Sequence, residues 1–299
     1  MKKIDIVEVG PRDGFQNLDD YLPLELKLKI IDGLIEAGIK HIQHTSFVSP
    51  KAVPQMKDAK ELTQILLEKH PDFDFFPLVP NLYGARTAYE LGIRKVSYVI
   101  SLSESHNKAN INRTHEQSLK ELKNIMENYS DLNICVDIAT TFGCPFEGKF
   151  PVDTVLKFIE RIANMGIREM TLADTIGVAN PKQVREIVGA AMKEFPEVEF
   201  QVHIHDTRNM GIASTLAAIE AGITKVQSTL GGLGGCPFAP GASGNTATED
   251  LVNMLNDMGY DTGLDLDKLL DIARFQKRTV KGNYSGHLIN INETAHSCF

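Results

Sequence analysis

His203 and His205 end a run of apolar and polar residues in Glu-Phe-Gln-Val-His-Ile-His-Asp (199–206). On an extended strand, residues i and i+2 face the same side, so both imidazoles can address one centre. An H-x-H pair by itself serves structure as readily as it binds metal. Its company favours metal. Asp13 follows the first strand candidate, and Asn245 closes a glycine-rich loop after the last one. Two nitrogens and two oxygens, with water completing six positions, suit a divalent cation such as Mg²⁺ or Mn²⁺ better than structural zinc.

Arg12, beside Asp13, can offer donors to a developing enolate oxygen, although an Arg-Asp dipeptide alone is usually a surface pair. Cys236 lies in the loop Gly231-Gly232-Leu233-Gly234-Gly235-Cys236-Pro237, which lacks the Gly-Lys-Ser/Thr end of a phosphate-binding loop. A lid carrying this thiol over a site fits the composition, and an inert thiol in a structural turn is the plainer alternative. Gly-Cys-Pro-Phe occurs again at 143–146, so Cys144 is placed near the same mouth. Asp174 reads equally as a general acid/base or as the cap of the following turn.

These residues need strand ends that converge. Strand-like runs at 4–9, 41–47, 73–79, 95–102, 133–142, 169–173, 198–205 and 225–230 alternate with helical patterns at 24–37, 58–69, 116–129, 152–165 and 181–193. Eight such units point to an α/β fold, a (β/α)₈ TIM barrel, whose active site lies where the strands end. Gly38-Ile39, Gly92-Ile93, Gly166-Ile167 and Gly222-Ile223 echo one another, each closing a helix and opening strand 2, 4, 6 or 8. The barrel is read as residues 1–262. Residues 263–299 form an additional C-terminal helix (264–277) and a tail. In a closed barrel, strands 7, 8 and 1 are neighbours, so His203, His205, Asn245 and Asp13 can meet.

The chain has 299 residues, a net charge of −8, 42% hydrophobic and 23% charged residues, so it reads as a globular protein able to fill its own core. The acidic balance and lack of a basic patch argue against a nucleic-acid partner, and no apolar run approaches a membrane span. Four cysteines in a chain this long do not make a disulfide framework, which gives a cytoplasmic expectation. Cys135 reads as core. Cys298 reads as a free tail thiol, with an intersubunit disulfide as its alternative.

The motifs taken together resemble the 3-hydroxy-3-methylglutaryl-CoA (HMG-CoA) lyase family over nearly the whole chain. They are Val7-Glu8-Val9-Gly10-Pro11-Arg12-Asp13-Gly14, Thr45-Ser46-Phe47-Val48-Ser49-Pro50-Lys51, Pro80-Asn81-Leu82, Asn110-Ile111-Asn112, Gly143-Cys144-Pro145-Phe146-Glu147-Gly148, Asp174-Thr175-Ile176-Gly177, His203–Asp206 and Gly232–Asp250. The resemblance implies a divalent-metal-dependent carbon–carbon lyase that cleaves HMG-CoA to acetyl-CoA and acetoacetate, working as a homodimer on an acyl-CoA substrate. It implies Asp13, His203, His205 and Asn245 as metal ligands, and Arg12, Gln43 and Asn110 as substrate-binding residues. Arg12, Cys236 and Asp174 are implied as catalytic, with Cys236 protonating the enolate. The family usually carries Glu at position 43 and Asp at position 227, where this chain has Gln43 and Gln227; His44 replaces a small residue. An amide hydrogen-bonds but cannot act as a base. Three readings follow: the family's reaction, a related lyase or aldolase acting on another 3-hydroxyacyl-CoA or hydroxy acid, or a barrel that binds metal and ligand without turnover.

Overall fold

In the computed structural model, which describes residues 1–235 and 244–291, eight parallel strands pair in chain order and β8 returns to β1, closing a barrel. They are β1 (Asp5–Glu8), β2 (His41–Ser46), β3 (Asp74–Leu78), β4 (Lys95–Ser101), β5 (Asn133–Ala139), β6 (Glu169–Asp174), β7 (Glu199–Ile204) and β8 (Lys225–Ser228). All eight expected strands are present. Most end sooner than their apolar runs, because the residues beyond turn into the loops that build one rim. Strand β5 stops at Ala139, where Thr140 takes a φ of 58°.

The surrounding helices are α1 (Leu24–Glu36), α2 (Ala59–Lys69), α3 (Leu82–Glu90), α4 (Glu104–Ile111), α5 (His115–Asn128), α6 (Val152–Ala163), α7 (Pro181–Glu194), α8 (Gly211–Glu220), α9 (Thr248–Asp257) and α10 (Leu266–Thr279). Their inward faces follow the helical period. In α6, Val155, Phe158, Ile159 and Ile162 are buried against the sheet. Each such side chain contributes roughly 1.5–3 kcal/mol of burial. The four echoed glycines all take the left-handed conformation, with φ of 98°, 97°, 100° and 123° at Gly38, Gly92, Gly166 and Gly222. A Cβ is disfavoured there, which explains why glycine recurs at the helix-to-strand reversal.

The barrel interior departs from the usual branched aliphatic filling. Only Val7, Val9 and Phe76 form a small apolar cluster apart from the main core. Gln43, Ser97, Cys135, Asp137, Glu169, Thr171, Gln201 and Gln227 are all buried. Cys135 is thus inside the protein as expected, but among polar groups: its Sγ lies 3.4 Å from Thr171 Oγ1 and accepts from Gln201 Nε2 at 3.2 Å. At the closed end, Lys95 Nζ meets Glu169 Oε1 at 3.0 Å. Helix α10 packs on α1, where Gly33 leaves room for Ile272. No helix among the described residues is long and apolar enough to cross a membrane.

Candidate active site

Beyond β1, residues Gly10–Gly14 form one wide π-helical turn, closed by Phe15 N–H donating to Gly10 C=O. Single turns of this kind re-aim side chains at functional sites. Here the turn directs Arg12 and Asp13 into the strand-end rim, both 8% exposed. Strand β7 brings His203 and His205 to the same place, as their spacing requires. Asp13, His203 and His205 present ligand atoms all within 4.8 Å of one another. Asn245 joins them through an isolated bridge to His205, and its Nδ2 donates to Asp13 Oδ2 at 2.8 Å. The four expected ligands therefore come together.

The cluster suits a cation. Buried polar atoms normally find partners, yet Nδ1 of His205 and Oδ1 of Asn245 have none. His203 Nδ1 lies 3.1 Å from Gln227 Oε1. That oxygen only accepts, so Nδ1 carries the proton and Nε2 keeps its lone pair. Nε2 faces Asp13 Oδ2 at 3.9 Å. Burial lowers the pKa of both imidazoles, that of His205 to about 4, which leaves them neutral as ligands must be. Burial alone would raise the Asp13 pKa. Arg12 and the two imidazoles outweigh it and hold the carboxyl down to about 2.

Arg12 is fixed from two sides, its Nε donating to Gln43 Oε1 and its Nη1 to Asp13 Oδ1. Three of its five N–H donors remain for a ligand. Gln43 does not line the cavity; it stands behind Arg12 and orients it. The cavity in front measures about 600 Å³, is bounded on its apolar side by Val48, Val53, Leu78 and Ile111, and carries Asn110 at its exposed rim. A cavity of this size, with an apolar wall facing convergent polar groups, falls in the range of small-molecule sites.

Two expected residues lie apart. Both oxygens of Asp174 are occupied, accepting from Val178 N–H at 3.0 Å and Ala179 N–H at 2.9 Å. Asp174 is not part of the cavity lining, and this is the geometry of its turn-capping alternative. Cys144 does not reach the mouth either. It is buried, with Sγ donating to Ser103 Oγ at 3.0 Å and accepting from Phe146 N–H at 3.3 Å. Its copy of Gly-Cys-Pro-Phe folds into the loop after β5, closed by the Cys144–Gly148 bridge. Cys236 and Cys298 lie outside the described residues. Gly235, immediately before Cys236, does line the cavity, and the backbones of Gly235 and Gly244 pack together.

Among the cavity residues that the sequence reading did not single out is a carboxylic acid. Asp137 lies within β5 in Asn-Ile-Cys-Val-Asp-Ile-Ala (133–139), level with Val99 and Thr171 on the neighbouring strands. It lines the cavity and is 7% exposed. The available signal was a charged residue inside a parallel strand, where apolar residues are the rule.

The HMGL-like family model matches residues 3–275. Hydroxymethylglutaryl-CoA lyase of Bacillus subtilis is 40% identical over 276 residues, 92% of each chain. The human mitochondrial hydroxymethylglutaryl-CoA lyase is 42% identical over 92% of this chain and 85% of its own. Among solved structures, an HMG-CoA lyase from Acinetobacter baumannii in complex with coenzyme A and 3-methylmalate superposes with a TM-score of 0.91 at 40% identity, covering 97% of this chain and 95% of that one.

Proposed function

The chain belongs to the HMGL-like family, and from that premise we propose that it cleaves HMG-CoA to acetyl-CoA and acetoacetate by breaking the C2–C3 bond. The observation that carries this reading is the Asp13–His203–His205 cluster beside the fixed Arg12 at the cavity floor. Asp13, His203, His205 and Asn245 hold a divalent cation, Mg²⁺ or Mn²⁺. When bound, the cation supplies Lewis acidity that lowers the pKa of the substrate's hydroxyl. The free N–H groups of Arg12 face the thioester carbonyl oxygen and stabilise the enolate that develops there. Gln43 keeps the guanidinium in that orientation without competing for its charge. Asn110 at the rim contacts the acyl-CoA. Cys236, one residue beyond the cavity-lining Gly235, gives its proton to the enolate carbon.

The test is chelator-stripped protein incubated with HMG-CoA. Acetoacetate should appear only after Mg²⁺ or Mn²⁺ is restored. Cys236→Ala should bind Mn²⁺ as the wild type does, with turnover reduced about 10²–10⁴-fold. Cleavage that survives chelation contradicts the cation site, and unchanged turnover in Cys236→Ala removes the thiol as proton donor.

A further inference from the structure

The reaction needs a group to take the hydroxyl proton, and the ligand cluster does not offer one. Among the described residues that line the cavity, only Asp13 and Asp137 are carboxylic acids. Asp13 is committed: its oxygens serve Arg12, Gln16 and Asn245, and its pKa of about 2 makes it a poor base. His106 also lines the cavity, but its Nδ1 is engaged with Ser101 Oγ at 2.7 Å and burial lowers its pKa to about 4.

Asp137 is different in kind. Its Oδ2 is shielded, and the groups that approach the carboxyl are the Ser97 and Thr171 hydroxyls and the Cys135 thiol, whose Sγ lies 3.9 Å from Oδ1. Two hydrogen-bonded chains run toward it. In one, Arg12 Nε donates to Gln43 Oε1, and Gln43 Nε2 donates to Ser97 Oγ at 2.6 Å. In the other, His203 Nδ1 donates to Gln227 Oε1, and Gln227 Nε2 donates to Thr171 Oγ1 at 3.1 Å. Each hydroxyl oxygen is thereby an acceptor, so its own proton is free to turn to the carboxyl that both hydroxyls face. The amides at 43 and 227 set these directions, because their oxygens are taken by Arg12 and His203. One carboxyl thus ends the chain from the cation site and the chain from the guanidinium.

We propose that Asp137 is a catalytic residue that accepts the proton of the substrate's 3-hydroxyl group as the C2–C3 bond breaks. The assignment rests on the lyase reading given above. The O–H bond breaks and its electron pair becomes the second bond of the new ketone. The C2–C3 pair passes to the thioester as an enolate, which takes a proton at C2. Exchange with solvent then returns the proton from Asp137 to the donor, so the cycle balances without any oxidant or reductant. Burial raises the pKa of Asp137 above the ordinary carboxylate range, which strengthens it as a base; Thr171, Arg12 and Ser97 draw it partly back. The charged and titratable groups facing it are Arg12 from the turn after β1, Glu169 from β6 and Cys135 from its own strand. Lys95 from β4 pairs with Glu169.

The experiment compares wild type, Asp137→Asn and Asp137→Glu on a panel of 3-hydroxyacyl-CoA thioesters including HMG-CoA, from pH 5 to 9, with Mn²⁺ affinity measured alongside. Asp137→Asn should lower kcat about 10²–10⁴-fold. KM and Mn²⁺ affinity should stay within about threefold, and the acidic limb of the kcat profile should vanish. Asp137→Glu should recover at least about tenfold over Asp137→Asn, with the limb present but displaced; a purely structural role would not move that limb. Wild-type cleavage matched by Asp137→Asn, or an acidic limb that persists in it, overturns the assignment alone. A wild type that cleaves no member of the panel overturns the lyase reading and this assignment with it.

Discussion

His203 depends for its ligand role on the group behind it. Gln227 Oε1 holds the Nδ1 proton, and Gln227 Nε2 is held in turn by Thr171 Oγ1 and by Gln201 Oε1 at 3.3 Å. The amide cannot flip without setting its oxygen against that of Gln201. A neutral amide in this position orients the imidazole without adding charge, so it tunes the ligand less strongly than a carboxylate would. Gln227→Leu removes the acceptor while keeping similar bulk. Mn²⁺ affinity, read by titration calorimetry, should fall about 10–100-fold; unchanged affinity would show that the tautomer is fixed by something else. The ligand set was legible in the sequence because His203 and His205 share one face at the end of β7, while Asp13 and Asn245 lie in the polar, glycine-rich turns after β1 and β8. Asp137 was not, because nothing local distinguishes an inward residue that faces a cavity from one packed in the barrel interior. Asp174 stayed undecided for a related reason: capping and catalysis both place a carboxyl at a strand end.

The turns that carry these side chains are tied together by two buried carboxyls. Glu8 accepts from Gly10 N–H at 2.8 Å, Leu230 N–H at 3.0 Å and Thr248 Oγ1 at 2.7 Å, joining the turn after β1 to the loop after β8. Glu249, in the first turn of α9, accepts from Gly231 N–H at 2.8 Å. Burial raises the pKa of Glu8 to about 7 and that of Glu249 to about 8. Both values exceed the ordinary 4.5, so the folded state binds more protons than the unfolded one between pH 4.5 and 7 for Glu8, and between pH 4.5 and 8 for Glu249. Stability contributed by these groups is full at low pH and falls as pH rises through those windows. Urea unfolding should show this decline, and Glu249→Gln should flatten it by at least about 1 kcal/mol between pH 5 and 8. An unaltered pH dependence would contradict ionisation at that site. Among the elements, the strands and the long amphipathic helices were readable from periodicity. Helices α3 and α8 were signalled only by the glycines that close them, Gly92 and Gly222, and α4 and α9 were not read. Helix α4 has only eight residues, few of them apolar, and α8 is apolar on nearly every side, so neither shows a clear stripe.

At the scale of the whole molecule, α10 reaches the site through its packing. Gln276 Nε2 donates to Leu230 C=O at 3.0 Å, at the base of the loop that leads to Cys236. That hydrogen bond holds only while α10 stays seated on α1. A Cβ at Gly33 would come within 2.6 Å of Ile272 Cδ1, so Gly33→Val should wedge the two helices apart. Overpacking of this kind costs about 1–3 kcal/mol. The variant should melt at a lower temperature and lose turnover beyond its loss of folded protein, with Mn²⁺ affinity retained; full activity in the folded fraction would show that α10 does not support the loop. Closure of the sheet in chain order is what brings β7, β8 and β1 side by side, and eight regular strand–helix units made that closure legible before any contact was known. The polar filling of the barrel was not legible, since it depends on which side of each strand faces inward. The most direct test of the whole account is a time course of purified protein with HMG-CoA and Mn²⁺, following the thioester and both products. Loss of HMG-CoA matched one to one by acetyl-CoA and acetoacetate is the predicted result. HMG-CoA that stays intact, or is consumed without acetoacetate, would contradict it.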